Sequence, residues 1–158
     1  MIAFGDYVSK RSVQMIPFRP EHALTINLKA LEIQYTNIMP NYLNYIIGNA
    51  VPDLSWTLVK DGCIIALFGV RIMWPGVAEV WMLPGQEIKE NAIPLIKGGR
   101  YVLDVIEHEL DMKRLQIAVL KSDYTAYKFA RMLYFTSESV MYKFGPYGED
   151  YYMMTRIR

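Results

Sequence analysis

AEVWMLPGQEIKENAIPLIKGGRYVLDVIEHELDMKRLQIAVL, residues Ala78–Leu120, is the stretch that decides the fold. Ala78–Leu83 is short and mostly apolar, and a Pro-Gly pair ends it, so it is predicted to be a strand. Pro94–Leu110 carries apolar residues at helical spacing, and Leu115–Leu120 is predicted to be a second strand. Two strands joined through a helix are normally parallel, with a right-handed crossover.

The carboxyl ends of these two strands are the expected place for a ligand, because parallel sheets bind ligands beyond that edge. The ends are Leu83–Gly85 and Lys121–Asp123. The remaining chain should supply further strands and the helices that cover the sheet. We therefore expect an α/β fold with an α+β mixed sheet of about six or seven strands, forming one domain over residues 1–158.

The other elements follow from apolar periodicity and from turn residues. Asp61-Gly62 between two apolar runs is a strong hairpin signal. The predicted strands are Ser12–Phe18, Ser55–Lys60, Cys63–Met73, Ser139–Phe144 and Tyr151–Ile157. The predicted helices are one that opens at Arg19–His22 and continues to Tyr35, a shorter one over Pro40–Gly48, and Tyr124–Leu133.

Composition limits the function classes. The net charge is +1 over 158 residues, so a basic nucleic-acid surface is not indicated, and no apolar run approaches the length of a membrane span. Partners are therefore expected to be neither nucleic acid nor membrane. The single cysteine, Cys63, makes no disulfide framework or cysteine-rich metal site and is predicted to be core. His22 is predicted to be a surface histidine, and no metal is expected.

The order of elements resembles the GNAT superfamily of N-acetyltransferases from Ser12 onward. The most specific part is SDYTAYKFARMLYF, residues Ser122–Phe135. It is similar to the family's Asn-x-x-Ala helix that ends in Leu-Gly-Phe, with Asp123 at the Asn position and Tyr134 at the Gly position. Among GNAT-like proteins the chain looks most like small forms encoded by short-tailed phages, some of which are internal virion proteins.

The resemblance implies acetyl-CoA as co-substrate. Its pantetheine arm would enter between the splayed strands Ala78–Leu83 and Leu115–Leu120, and its pyrophosphate would bind the N-terminus of the helix between them. The backbone N–H of Met82 or Leu83 would stabilise the thioester oxygen. Asp123 lies at the other end of this cleft and is a further candidate for binding the cofactor. Acetylation also needs a base for the amine and an acid for the leaving thiolate.

Glu79 is the candidate base, because an Ala-Glu-apolar strand resembles the one that carries the catalytic glutamate in histone-acetylating GNAT enzymes. The alternative is a structural glutamate that is exposed or forms an ion pair with Arg71 or Arg114. The family's usual acid, a tyrosine, is replaced by Ala130. Tyr127 and Tyr134 lie one turn away on either side; Tyr127 is the candidate acid, and a water is the alternative.

The family's glycine-containing phosphate loop should fall near Glu90–Ile96, where the sequence has no glycine pair. Lys97, Gly98, Gly99 and Arg100 follow slightly later. They are candidates for the pyrophosphate site if the helix starts there, because glycines allow close approach and the two side chains are cationic. The alternative is a flexible first turn in solvent.

The sequence leaves two hypotheses for the function, which belong to different classes of protein. The first is an acetyl-CoA-dependent N-acetyltransferase acting on a small-molecule or protein amine. The second is a non-catalytic GNAT-fold phage protein that binds a phage or host protein partner. The expected location is the cytoplasm, that of the host if the chain is phage-encoded, or the virion. A hydrophobic share of 53% and 12 tyrosines leave room for a homo-oligomer.

Overall fold

The computed structural model describes residues 13–158 of the chain. The strands in this part are β1 (Gln14–Pro17), β2 (Ser55–Lys60), β3 (Cys63–Trp74), β4 (Val77–Pro84), β5 (Arg114–Leu120), β6 (Thr136–Met141) and β7 (Tyr151–Ile157). The helices are α1 (Pro20–Thr25), α2 (Ala30–Ile38), α3 (Tyr42–Asn49), α4 (Ala92–Glu109) and α5 (Tyr124–Met132), with a 3-10 helix over Gln86–Asn91. None of these helices is both long enough and apolar enough to span a bilayer.

The seven strands form one mixed sheet in the order β1-β2-β3-β4-β5-β7-β6. β4 and β5 are parallel, whereas β1 with β2, β2 with β3, β5 with β7 and β6 with β7 are antiparallel. The predicted mixed sheet and its parallel pair are therefore confirmed. The β2–β3 turn is also as predicted, since Asp61 and Gly62 both have positive φ, at 50° and 79°.

The first predicted helix is wrong in one respect, because it is two helices. The chain leaves helical geometry after Thr25, and Leu28 forms an isolated antiparallel bridge with Gly85. The carbonyl of Asn27 also accepts the Gln86 N–H at 2.9 Å. The apolar stripe in the sequence continues through this break. In the fold, however, the backbone N–H and C=O groups here form hydrogen bonds with the end of β4 instead of helical ones.

The chain divides into two compact units. Of the described residues, the first comprises 13–71 together with Trp81–Leu95, and the second comprises Ile72–Val80 and Ile96–Arg158. The core of the first unit joins α1 and α3 to β3 and β4. Its buried members are Ala23, Ile26, Ile46, Leu67 and Leu83.

The second unit is built around the antiparallel pairing of β5 with β7 along the full length of both strands. The buried apolar residues of this unit come from α4, from α5 and the turn that follows it, and from these strands. They include Val102, Leu103, Ile106, Leu115, Val119, Ala130, Leu133, Phe135 and Met154. β6 continues the sheet beside β7, and its register shifts between Ser137 and Ser139, so Glu138 is a bulge residue.

Two further predictions from the sequence are wrong. Cys63 is exposed rather than core, because it follows directly on the tight Asp61-Gly62 turn at the start of β3. β6 occupies Thr136–Met141, three residues before the predicted Ser139–Phe144. The aromatic residues after Met141 favour a strand by their composition, which is why the prediction extended to Phe144. In the structure they are exposed and lie in the loop between β6 and β7.

Gly85 is the glycine whose lack of a side chain the first unit needs most. A Cβ there would lie 2.8 Å from the Ile65 carbonyl oxygen, 3.2 Å from that of Ile64 and 3.3 Å from that of Asn27. All three neighbours are backbone atoms, which cannot move aside as a flexible side chain can. The close approach therefore depends on glycine.

We expect Gly85→Ala to lower the free energy of unfolding by about 1–3 kcal/mol, the usual cost of forcing extra volume into a packed site. Urea unfolding followed by circular dichroism measures the change. Gly48→Ala is the matched control, since a Cβ in that part of α3 meets nothing within 4 Å. The control should be neutral or slightly stabilising. Equal stability of the two variants would contradict the packing described at Gly85.

Candidate functional site

Glu79 lies at the last recorded position of the parallel strand pair. Val77, Ala78 and Glu79 of β4 pair with Arg114, Leu115 and Gln116 of β5. Ala78 is fully buried, whereas the Glu79 side chain is half-buried. Glu79 is therefore the last residue of β4 that pairs with β5, and β4 continues beyond it as far as Pro84.

Arg114, one of the two cations predicted as an ion-pair partner of Glu79, is engaged elsewhere. Its two terminal nitrogens donate to both carboxylate oxygens of Glu138, at 2.7 and 3.0 Å. Its Nε donates to Oε1 of Gln116 at 3.0 Å. The hydrogen bond from Arg114 lowers the pKa of the exposed Glu138 carboxyl. The Arg71 alternative for Glu79 stays a prediction.

Met82 and Leu83, the predicted sources of an oxyanion-binding N–H, have opposite environments. The Met82 side chain is 37% exposed, whereas Leu83 is fully buried in the core of the first unit. Burial of Leu83 fixes the position of this part of β4. Stabilisation of a thioester oxygen by either N–H stays a prediction.

The helix between the two strands begins earlier than a phosphate site at Lys97–Arg100 would require. α4 starts at Ala92, and the 3-10 helix Gln86–Asn91 runs directly into it. The condition that the helix starts at Lys97 is therefore not met, because Lys97 to Arg100 are the sixth to ninth residues of α4. Backbone N–H groups this far into an α-helix donate to helix carbonyls.

The four residues of this candidate phosphate site have separate environments. Lys97 is exposed, and a Cβ on Gly98 would meet nothing within 4 Å. A Cβ on Gly99 would lie 2.9 Å from Cδ2 of Leu133, so Gly99 allows α4 to pack against the end of α5. Arg100 Nε donates to the Met132 carbonyl at 2.6 Å.

α5 begins as the sequence predicts, with Asp123 as its N-cap. Asp123 Oδ1 accepts the Ala126 N–H at 2.9 Å, and its carbonyl accepts the Tyr127 N–H at 3.0 Å. Tyr127 is half-buried, and its ring centroid lies 5.3 Å from that of Tyr152 on β7. Ala130 is buried, so its small side chain serves packing at this position.

α5 ends in a Schellman motif whose left-handed residue is Tyr134. The Tyr134 N–H donates to the Arg131 carbonyl and the Phe135 N–H to that of Ala130. Tyr134 has φ +70°, a left-handed conformation that glycine adopts most easily. Glycine is the residue at this position of the motif that the sequence resembles. The Arg100 guanidinium lies 4.4 Å from the centroid of the Tyr134 ring and that of Arg156 lies 5.7 Å away, so cation–π contacts offset the strain.

A cavity of about 380 Å³ lies at the carboxyl end of β5, immediately before Asp123. Its lining residues are Leu120, Lys121, Ser122, Glu149 and Asp150. Its lining comes from the end of β5 and from the residues that precede β7, the antiparallel neighbour of β5, rather than from β4. Asp150 Oδ1 accepts the Lys143 N–H and Glu149 Oε2 accepts the Tyr147 N–H, so both carboxylates also hold the β6–β7 loop.

Two polar groups escaped prediction from the sequence. Arg156 is buried and its Nε lies 2.8 Å from Oε1 of Glu107, because α4 and β7 bring together residues 49 positions apart. His22 is half-buried rather than a surface residue, and its Nδ1 lies 2.7 Å from Oγ1 of the fully buried Thr57. The local sequence carries no signal for either contact, since both depend on tertiary structure.

The comparisons with known proteins come from structure alone. No family model and no curated protein matches the sequence. An acetyltransferase of the GNAT family from Bacillus anthracis superposes with a TM-score of 0.70 at 10% identity, over 95% of this chain and 97% of that one.

Two further acetyltransferase structures agree. A ribosomal-protein-S5-alanine acetyltransferase from Vibrio fischeri gives a TM-score of 0.65 at 13% identity, over 95% of both chains. The microcin C7 self-immunity acetyltransferase MccE, solved with acetyl-CoA and AMP, gives 0.67 at 12% identity, over 93% of both chains. The chain therefore has the GNAT fold.

Arg100 is predicted to stabilise the second unit by holding the end of α5. Arg100→Ala should lower the free energy of unfolding by about 1–2 kcal/mol, because the Met132 carbonyl and the Tyr134 ring both lose their cation. Lys97→Ala, one turn away and exposed, is the control and should change stability by less than about 0.5 kcal/mol. Thermal unfolding of both variants tests this. A larger loss in the Lys97 variant would contradict the assignment.

Glu107 should make stability depend on pH. Burial raises the pKa of the Glu107 carboxyl above its ordinary 4.5, and the facing Arg156 offsets this only in part, while Asp104 raises it and Arg158 lowers it. Because the pKa is raised in the folded chain, the protonated carboxyl stabilises the folded state below about pH 4.5. This stabilisation is lost as pH rises through the pKa of the folded state.

Glu107→Gln removes this titration, so the unfolding free energy of the variant minus that of the wild type should increase between about pH 4 and pH 7. Urea unfolding at several pH values measures the difference. A difference that stays flat or falls with pH would show that the ion pair with Arg156 outweighs the cost of burial.

Proposed function

We propose that the chain is an N-acetyltransferase that transfers an acetyl group from a coenzyme A thioester to an amine. The observation that carries the proposal is the parallel β4–α4–β5 unit, in which Glu79 is the last residue of β4 that pairs with β5. Further support is the likeness to acetyltransferase structures over more than nine-tenths of the chain. The acceptor is a small-molecule or protein amine.

The reaction assigns one role to each candidate residue. The amine nitrogen attacks the thioester carbonyl, and the Glu79 carboxylate takes the proton that the nitrogen loses. The N–H of Met82 or Leu83 donates to the carbonyl oxygen as negative charge develops on it. The carbon–sulfur bond breaks, and Tyr127 or a water gives the thiolate its proton, leaving an acetamide and a free thiol.

Asp123 and the cavity before it complete the proposal, since they lie at the carboxyl end of β5. Oδ1 of Asp123 already caps α5, so its contribution to the acyl donor would be through the position of the helix rather than through this oxygen. A non-catalytic role in a virion or at a host protein is the alternative that rests on sequence texture. Acetyl transfer by the wild-type protein separates the two.

Glu79→Gln should lower kcat/KM by about 10² or more, because a neutral amide cannot accept the amine proton. Release of the free thiol from acetyl-CoA, with a panel of polyamines, aminoglycosides and peptide N-termini as acceptors, measures turnover. Glu109→Gln is the matched control, since Glu109 is an exposed glutamate at the end of α4.

The control should retain wild-type turnover. Equal turnover of the Glu79 variant would remove this residue from the mechanism. Loss of its folded structure, seen as a lowered thermal midpoint, would instead support the ion-pair role considered from the sequence.

A further inference from the structure

We infer that the acyl donor is recognised through its pantetheine thioester arm and that its diphosphate contributes little to binding. The inference rests on the proposed function and names the part of the co-substrate that the site reads. It follows from three features at the start of α4, which is where a helix of this fold offers an anion its backbone N–H groups.

The first feature is the loss of free N–H donors. A helix N-terminus binds an anion because its first four N–H groups lack helical partners. Here the 3-10 helix Gln86–Asn91 runs straight into α4, and the Ala92 N–H already donates to the Lys89 carbonyl. Pro94 has no N–H. Two of the first four residues therefore offer no donor, and no open loop precedes the helix.

The second feature is that the later glycine and arginine are used within the protein. The space that Gly99 leaves is filled by Leu133, so a phosphate cannot approach the backbone there. Arg100 directs its Nε to the Met132 carbonyl and its guanidinium to the Tyr134 ring. Lys97 is exposed, where solvent and salt weaken its attraction for an anion.

The third feature is the absence of net positive charge. The 3-10 helix that leads into α4 carries Glu87 and Glu90 together with Lys89. Among residues 13–158, Oε2 of Glu87 is buried and has no hydrogen-bond partner. Lys60 donates from its Nζ to Oδ1 of Asn91 at 2.9 Å and keeps its positive charge, so Lys60 and Lys89 only balance Glu87 and Glu90. These four side chains carry no net charge together, so they offer a diphosphate little attraction at this position.

The pantetheine arm needs none of these groups. It is a neutral chain with two amides, and amides bond to a strand backbone as another strand does. β4 pairs with β5 only as far as Glu79, although β4 continues as a strand to Pro84. The backbone of β4 after Glu79 is therefore the part of the fold that suits this arm.

Isothermal titration of the full-length protein with coenzyme A, pantetheine and adenosine 3′,5′-bisphosphate tests the inference without an acceptor amine. We expect coenzyme A and pantetheine to bind with dissociation constants within about fivefold of each other. The nucleotide fragment should give no binding and should not compete. A diphosphate held by even two charged hydrogen bonds would instead favour coenzyme A by about 100-fold or more.

Salt dependence and a variant add two independent readouts. The dissociation constant for coenzyme A should change by less than about threefold between 50 and 500 mM salt, because no phosphate contact is screened. Lys97→Ala, which leaves the fold intact, should not alter coenzyme A binding. In the thiol-release assay, S-acetylpantetheine should support turnover within about fivefold of acetyl-CoA.

Preferential binding of coenzyme A by about 100-fold, competition by the nucleotide fragment, or weaker binding in the Lys97 variant would each overturn the inference and leave the proposed function intact. Absence of binding by both coenzyme A and pantetheine would overturn the proposed function, and the inference with it.

Discussion

The second unit depends on one buried cation, Arg156. Its guanidinium binds Glu107 at 2.8 Å, contacts Asp104, and donates to the Leu133 carbonyl at 3.3 Å. A single side chain on β7 thereby joins α4 to the end of α5. Burying this charge is costly, and the hydrogen bonds from its N–H groups to these partners offset the cost. Removing Glu107, the buried carboxylate among them, would leave the buried guanidinium with less compensation.

This arrangement also explains the end of α5. The last carbonyls of a helix lack helical partners and carry partial negative charge. Arg100 from α4 takes the Met132 carbonyl and Arg156 from β7 takes that of Leu133. Tyr134 can adopt its strained left-handed conformation because the same two guanidinium groups lie near its ring. Residues distant in sequence therefore complete a local motif.

The sequence predicts the fold where the local pattern and the tertiary structure agree. Asp61-Gly62 sets the β2–β3 turn, and period-two alternation over Ser55–Lys60 gives β2 its observed bounds. The break between α1 and α2 could not be predicted, because it depends on the Leu28–Gly85 bridge. Exposure of Cys63 has a different cause, since its position beside the turn rather than its residue type decides it.

The candidate site is less predictable than the fold for a physical reason. A Gly-Gly-Arg run can serve a phosphate or a helix contact, and local sequence does not distinguish them. Gly99 and Arg100 face Leu133 and Met132, which are more than 30 positions away. The cap at Asp123 was predictable because it needs only the next three residues.

The bulge at Glu138 has a consequence for association. β6 is an outer strand of the sheet, and a regular outer strand exposes backbone groups to which another chain can add. The register shift between Ser137 and Ser139 interrupts this row, and the Glu138 carboxylate pairs across β7 with Arg114 of β5. A second copy approaching this margin would meet an irregular backbone. Strand addition along β6 is thereby discouraged, so self-association, where it occurs, is directed to other surfaces.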